Sequence, residues 1–224
     1  MMKKMYVAAL ALTVSAMPLS GQGIELRGGL NLSSLSGQDI TNAVREMGMN
    51  YGVGFNIPIA GAFGLGLGTD FSQKGVEVQN IVDGLSTISG VMDLSYIEIP
   101  LVFRVGLVGS GPVRLNLMLG PSFGFNTGCE FTEVLAGAEP DPNAAIDCAN
   151  NLQGMGINSI KDSDIGGIGG LSLDFVLGGL ITAGVNVQYN MGLTPIADAT
   201  AGTFFDAAKN STYTIQTHLG FDIF

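Results

Sequence analysis

The chain has 224 residues, of which 46% are hydrophobic, only 12% are charged and 34 are glycine, and its formal net charge is −10. Ordinary soluble domains carry roughly 25% charged residues, and disordered chains are much less apolar than this one. The glycine content argues against a helical bundle, and the acidic balance excludes a nucleic-acid-binding surface, which needs a basic stripe.

The N-terminal residues have the pattern of a secretory signal peptide. Lys3 and Lys4 precede an apolar run over residues 6–17, and small or helix-breaking residues follow it. This run is shorter than the roughly 20 apolar residues that a spanning helix needs, so a retained membrane anchor is the weaker alternative. We therefore predict a signal peptide over residues 1–22 and one domain over residues 23–224.

After this leader, apolar and polar residues alternate with a period of two, as they do in a strand with two different faces. Bulky Leu, Ile, Val and Phe occupy one face, whereas glycine and polar residues occupy the other. In chain order, the eight predicted strands cover residues 24–33, 49–59, 63–75, 94–107, 113–126, 164–177, 180–191 and 212–224.

The links between the predicted strands alternate in length. Short links cover residues 60–62, 108–112 and 178–179, and long links cover residues 34–48, 76–93, 127–163 and 192–211. Short turns at one rim and long loops at the other are typical of outer-membrane barrels, whose short turns are periplasmic. We therefore predict an all-β fold, an eight-stranded antiparallel up-and-down transmembrane β-barrel.

The polar faces of these strands carry charges of both signs. Leaving the bulky apolar faces in water would expose far more than the few hundred Å² of apolar surface that a soluble monomer tolerates. The apolar faces must then meet outer-membrane lipid, and the charged faces must line the barrel. The predicted interior polar network comprises Glu25, Arg27, Asp70, Lys74, Glu98, Arg104, Arg114, Asp174, His218 and Asp222.

An eight-stranded barrel has a lumen about wide enough for side chains to fill it. Because an unpaired buried charge costs several kcal/mol, we expect the interior acids and bases to pair with each other. The alternative is a narrow ion path lined by the same groups.

Cys129 and Cys148 are the only cysteines, and both lie in a polar segment between the fifth and sixth predicted strands. An even number of cysteines in an exported chain favours a disulfide bond, which would restrain a long loop. Two free thiols or a metal pair are the alternatives, but two cysteines without a nearby histidine make a poor zinc site.

The sequence carries no pattern for catalysis, a metal or a cofactor. His218 is the only histidine, and Asp222 on the same strand face would be roughly 13 Å away, too far for a direct dyad. The glycine run at residues 166–170 lacks the Lys-Ser/Thr ending of a phosphate-binding loop. The acids of the long loop lack the spacing of an EF-hand.

Two pieces of the chain, Ser-Gln-Lys-Gly at residues 72–75 and Tyr-Ile-Glu-Ile-Pro-Leu at residues 96–101, are each weak alone but fairly specific together. Further pieces lie at residues 28–35, 119–121 and 189–193. By these pieces, the chain after the leader resembles the PorT-like outer-membrane β-barrel proteins (porin family) of Bacteroidetes. The resemblance implies a barrel in the outer membrane. Some relatives are tied to protein secretion and attachment of surface proteins, a role that we do not carry over.

Outer-membrane barrels commonly end in an aromatic residue that the barrel-assembly machinery recognises. Phe224 supplies that residue, but the apolar face of the last predicted strand runs through Phe221 and Ile223, one position out of step. We expect a bulge or a turned terminal residue there.

We therefore predict an integral, non-enzymatic outer-membrane protein with a structural, surface-interaction or assembly role carried by its long extracellular loops. A narrow transport pore is the alternative function, and a soluble periplasmic barrel that binds an apolar ligand is a third hypothesis. The expected partners are outer-membrane lipid and the barrel-assembly machinery, and the sequence identifies no further protein partner.

Overall fold

A computed structural model describes residues 23–37, 43–83, 86–108, 111–134, 144–148, 157–201 and 205–223. The predicted signal peptide and Phe224 lie outside these residues. In the part that is described, no helix is long and apolar enough to cross a membrane.

The described chain is almost entirely β-structure. Eight long strands form the wall: β1 Gly23–Ser36, β2 Ala43–Ala60, β3 Phe63–Asp83, β4 Ser86–Val108, β5 Val113–Glu133, β8 Ser163–Leu177, β9 Ile181–Gly192 and β11 Lys209–Asp222. Three short strands lie in the connections: β6 Ile146–Asp147, β7 Ile157–Ile160 and β10 Ala197–Ala199.

The long strands close into a ring of antiparallel neighbours. Each pairs with the next long strand in the chain, and β1 also pairs with β11 over its whole length, from Gly23↔Asp222 to Ser36↔Lys209. Closure leaves no strand edge unpaired within the wall, which is the condition for backbone to cross hydrocarbon. The prediction of a closed, eight-stranded antiparallel barrel is confirmed.

Side chains separate sharply between the two sides of this wall. Leu26 and Ile215 face outward with exposed fractions of 49% and 54%, whereas the inward-facing Asn31 and Gln216 are 0% and 1% exposed. A wall that is apolar outside and polar inside has the polarity of a membrane barrel rather than a soluble one.

Several predicted strand limits were wrong, chiefly at the end opposite the short turns. The β2 strand begins at Ala43 and β5 continues to Glu133. The β3 strand continues to Asp83 and β4 begins at Ser86, so most of the predicted loop over residues 76–93 is strand. In this region the inward residues are the apolar ones, as Val76 and Met92 show, so the pattern that marked the other segments is inverted. At the C-terminus, β11 ends at Asp222.

The short link between β8 and β9 is a tight turn that depends on glycine. Gly178 and Gly179, between β8 and β9, have φ values of 64° and 81°. Residues with a side chain rarely adopt this left-handed backbone region, so two consecutive glycines let the chain reverse its direction within very few residues.

Candidate functional site: the barrel interior and its two ends

Nearest the short turns, the lumen holds a group of charges that we call the lower ion cluster: Glu25, Arg104, Asp174 and His218. Arg104 Nη2 lies 3.0 Å from Glu25 Oε2. The His218 ring lies between two carboxylates, with Nδ1 at 4.0 Å from Glu25 and Nε2 at 3.2 Å from Asp174. Because every acid in this cluster faces a basic group, no charge of the cluster is buried alone.

Amide and hydroxyl groups complete the lower ion cluster. Asn116 donates a hydrogen bond of 2.8 Å to Asp174, and Ser172 donates to the same carboxylate. Asn56 donates to Glu25. These donors satisfy lone pairs that a single ion pair leaves free, and so reduce the cost of burying the carboxylates.

The next layer toward the opposite end is a single ion pair, Arg27 and Asp70. Arg27 Nη2 lies 3.0 Å from Asp70 Oδ1 and also donates to the carbonyl oxygen of Val53 at 3.1 Å. Gly68 leaves room for the Arg27 guanidinium, because a Cβ atom at residue 68 would lie 1.8 Å from Arg27 Nη2. The inward glycine is therefore needed for the space that the guanidinium occupies.

The third layer, the upper ion cluster, comprises Lys74, Glu98 and Asp164. Lys74 Nζ lies 2.7 Å from Glu98 Oε1 and 3.8 Å from Asp164 Oδ2, and the lysine side chain is 2% exposed. Asn190 donates to Glu98 at 3.3 Å, and Asn210 donates to Asp164 at 2.8 Å. The ammonium also lies 5.1 Å from the centroid of the Tyr96 ring.

The structure places eight of the ten predicted interior residues in these three layers. They are Glu25, Arg27, Asp70, Lys74, Glu98, Arg104, Asp174 and His218. The other two, Arg114 and Asp222, lie at the periplasmic end, where both are exposed and make no ion pair with any described residue. Both line the open end of the lumen, where the strands have nearly ended and water reaches the side chains.

Three features of the interior were not predicted. Asp164 completes the upper ion cluster and shares the strand parity of Asp174, so the alternation of β8 contained the signal for it. Asn31 donates hydrogen bonds to Ser72 Oγ at 3.0 Å and to the Gln73 carbonyl oxygen at 2.8 Å. A small inward-facing apolar cluster of Val102, Met118 and Ile168 lies at positions that the alternation places inside, where the predicted network included only polar residues.

A vestibule of about 920 Å³ opens at the short-turn end of the lumen, which we predict to be periplasmic. The lower ion cluster forms its inner end, and Arg114 and Asp222 line its wall. Farther in, the second cavity is only about 10 Å³, enclosed by residues that include Arg27, Asp70 and Met118. That volume is about enough for one water molecule, so side chains leave little free space around the Arg27–Asp70 layer.

At the end opposite the short turns, which we predict to be extracellular, an apolar cap closes the lumen. It joins inward residues of the extended strands to residues of the long connections, all of them buried. Its members are Leu35, Val76, Val78, Met92, Leu94, Tyr96, Phe131, Cys148, Ile157, Ile196, Ala197, Phe205 and Ala208. Pairing between β7 and β10 joins the two connections that supply Ile157 and Ile196.

A disulfide bond between Cys129 and Cys148 joins β5 to the connection that follows it. The two Cα atoms are 5.4 Å apart and the cysteines are separated by 19 positions in the sequence. Since Cys148 is buried in the apolar cap, the bond attaches part of the cap covalently to the wall. Among the described residues, no group of three or more His, Cys, Asp or Glu side chains is arranged to hold a metal ion.

Comparison with known proteins agrees with this architecture. The family model described as outer membrane protein beta-barrel domain matches residues 17–198. No curated protein sequence matches the chain.

Among solved structures, the outer membrane protein OprG from Pseudomonas aeruginosa superposes with a TM-score of 0.52 at 17% identity, covering 91% of this chain and 96% of that one. Outer Membrane Protein W of E. coli gives a TM-score of 0.48 at 12% identity, covering 92% of this chain and 100% of that one. At such identities the likeness to OprG shows the fold alone. The family match spans most of the chain, which therefore belongs to the outer membrane protein beta-barrel domain family and lies in the outer membrane.

Proposed function

We propose that this protein is a non-enzymatic barrel with a structural, surface-interaction or assembly role, carried by its extracellular end. The observation that carries the proposal is the apolar cap. Its connections bury Ile157, Ile196 and Phe205 against the upper parts of β3, β4 and β5. A packed and disulfide-linked cap presents a defined surface to the outside, whereas a path for solutes needs an open mouth.

The layers beneath the cap support the same role. The upper ion cluster lies directly below it, because Tyr96 belongs to the cap and also lies beside Lys74. Buried ion pairs impose a large desolvation cost on any rearrangement that separates them. A lumen filled in this way favours a rigid support for the extracellular surface.

We further propose that the chain is a PorT-like barrel of the type found in Bacteroidetes. The two sequence pieces that together make that resemblance fairly specific supply two of the three members of the upper ion cluster, because Lys74 comes from the first and Glu98 from the second. In this proposal, residues 1–22 direct export and the barrel-assembly machinery inserts the barrel into outer-membrane lipid.

A narrow transport pore is the second candidate, and the vestibule is the observation that favours it. A charged cavity of about 920 Å³ open to the periplasm would be the inner half of such a pore. The pore would also require the apolar cap and the upper ion cluster to move aside together.

Planar-bilayer recording separates these two functions. The refolded protein is compared with a variant in which residues 194–207 are replaced by a short Asn-Gly turn. We expect no steady current from the wild type, because the cap and the ion clusters both obstruct the lumen. A reproducible, steady wild-type current would overturn the closed-barrel proposal in favour of the pore.

Epitope tags test which end faces outward. One tag is inserted after residue 138, and the matched control tag replaces Gly61 in the turn between β2 and β3. Antibody should bind intact cells that carry the first tag and should bind the second only after the outer membrane is permeabilised. The opposite result would place the apolar cap in the periplasm and contradict a surface role.

A further inference from the structure

The outward apolar surface ends at one level on three adjacent strands. Leu32 pairs with Met47 on one side and with Tyr213 on the other, and all three side chains are exposed. The next pair of the same strand parity toward the extracellular end is Ser34 and Ser211, whose small side chains are buried. This change from bulky apolar to small polar side chains marks the outer limit of the hydrocarbon across β1, β2 and β11.

Arg45 lies at this limit. It precedes Met47 by two positions on the extracellular side, and its guanidinium carbon lies 4.6 Å from the centroid of the Tyr213 ring. Arg45 is exposed and has no carboxylate partner among the described residues. A guanidinium stacked on an aromatic face keeps its N–H groups free to donate outward in its own plane.

The surface beside Arg45 is polar and already ordered. The rings of Tyr213 and Tyr189 lie 4.8 Å apart, and the Tyr189 hydroxyl lies 3.0 Å from Ser211 Oγ. The tyrosine pair has its rings in the apolar wall and one hydroxyl at the polar level above, the arrangement typical of aromatic residues at a membrane interface.

The acid that follows Arg45 in the chain lies on its other side. Glu46 lies against Gly75 of β3, where an added Cβ would be 2.9 Å from the glutamate Cγ. Since β3 and β11 flank β2 and β1 on opposite sides, this carboxylate lies away from Tyr213. An anion approaching over β1 and β11 therefore meets Arg45 before it meets Glu46.

We propose that Arg45, held on the ring of Tyr213, is a binding site for the phosphate of a phosphorylated lipid headgroup in the outer leaflet. The arginine donates to the phosphate oxygens, a pairing for which the planar guanidinium is well suited. The occupant is a lipid rather than free phosphate, because the lipid's acyl chains would lie along the apolar wall below Leu32 and Tyr213.

Native mass spectrometry of the refolded full chain tests the site. The probe is a bis-phosphorylated lipid A, compared with the same lipid after removal of its phosphates. We expect the wild type to retain the phosphorylated lipid and Arg45→Gln to retain it about tenfold less, with Arg45→Lys between them. Arg114→Gln is the matched control, because that arginine lies in the vestibule at the other end, and it should behave as the wild type.

Three outcomes would overturn the assignment. Equal retention by Arg45→Gln and the wild type would show that the arginine does not bind the lipid. Equal retention of the dephosphorylated lipid would show that the phosphate is not recognised. Displacement of the lipid by millimolar inorganic phosphate would make the site one for the free anion. Heat-modifiable gel migration of each variant verifies that the barrel has folded before the comparison is made.

Discussion

The ammonium of Lys74 lies 2.7 Å from Glu98 Oε1 inside the barrel, where the lysine side chain is 2% exposed. The two residues are on the adjacent strands β3 and β4, and Asp164 reaches the same ammonium from β8 on another side of the lumen. The upper ion cluster therefore joins separate parts of the wall just below the apolar cap.

Replacing Lys74 should destabilise the barrel more than any surface charge change. Lys74→Met leaves the Glu98 and Asp164 carboxylates buried without their cation, and we expect a loss of about 3–5 kcal/mol in the free energy of unfolding. Urea unfolding in detergent micelles, followed by gel migration, measures it. Lys161→Met is the control: its ion pair with Asp198 at 3.4 Å is partly exposed and should contribute about 0–1 kcal/mol. Equal losses would contradict the structural importance of the upper ion cluster.

The Arg27–Asp70 pair depends on the absence of a side chain at Gly68. In Gly68→Ala the new Cβ would occupy the position of Arg27 Nη2, so we expect the guanidinium to leave Asp70 and the protein to lose roughly 1–3 kcal/mol. In Gly28→Ala the added Cβ meets nothing within 4 Å, and the variant should match or slightly exceed the wild type in stability. The same urea titration compares the two, and an unaffected Gly68→Ala would show that the lumen is looser than described.

Reducing the Cys129–Cys148 bond should loosen the extracellular end and leave the membrane-spanning wall intact. A bond that closes a loop of this length restrains the unfolded chain and so raises the free energy of unfolding by roughly 3 kcal/mol. We expect reductant to speed proteolysis within residues 134–162 while heat-modifiable migration stays unchanged. A Cys129→Ser/Cys148→Ser variant should be cleaved rapidly with or without reductant. Cleavage that does not respond to reductant in the wild type would contradict a restraining role for the bond.

Asp93, on β4 beyond the apolar wall, gives the extracellular end a defined pH dependence. Burial raises its pKa above the ordinary value of 3.8, and the nearby Glu46 and Glu130 carboxylates raise the pKa further. The folded protein therefore holds this proton more tightly than the unfolded chain, so the resulting stability is full below about pH 3.8 and is lost as pH rises through the folded-state pKa.

Asp93→Asn removes the ionisable carboxyl, so the variant should not lose stability at this position as pH rises. The variant should have a higher urea midpoint than the wild type at pH 8, and the difference should shrink as pH falls toward 3.8. Asp162→Asn, at an exposed position, serves as the control. A difference between Asp93→Asn and wild type that grows on acidification would mean that the sign assigned to this carboxyl is wrong.

Most of the wall could be predicted from sequence because the membrane requires apolar side chains and the lumen requires polar or small ones, and the two kinds alternate along each strand. The pattern of Val185, Val187 and Ile215 against Asn186 and Gln216 is unambiguous for that reason. The interior pairing followed from the same alternation, since Arg27, Lys74 and Arg104 had no other place to bury their charge.

The extracellular end could not be predicted in the same way. Above the membrane, Val76 and Met92 point inward to meet Ile196 and Phe205, which come from a distant connection without periodicity. Which loop residues return to fill the mouth is decided by long-range packing rather than by local pattern. Gly68 illustrates the same limit. A side chain is excluded there because the Arg27 guanidinium, from another strand, occupies the space, and the local sequence does not show this.

Site-directed spin labelling in lipid nanodiscs tests most directly which face of the wall meets lipid. Single cysteines replace neighbours on opposite faces, Ile215 and Gln216 on β11 and Val187 and Gln188 on β9, while Cys129 and Cys148 remain bonded. We expect labels at 215 and 187 to collide freely with oxygen dissolved in the bilayer, and labels at 216 and 188 to be shielded from it. High oxygen accessibility at 216 and 188, with shielding at 215 and 187, would contradict the orientation on which the barrel, its ion clusters and its lipid contacts all depend.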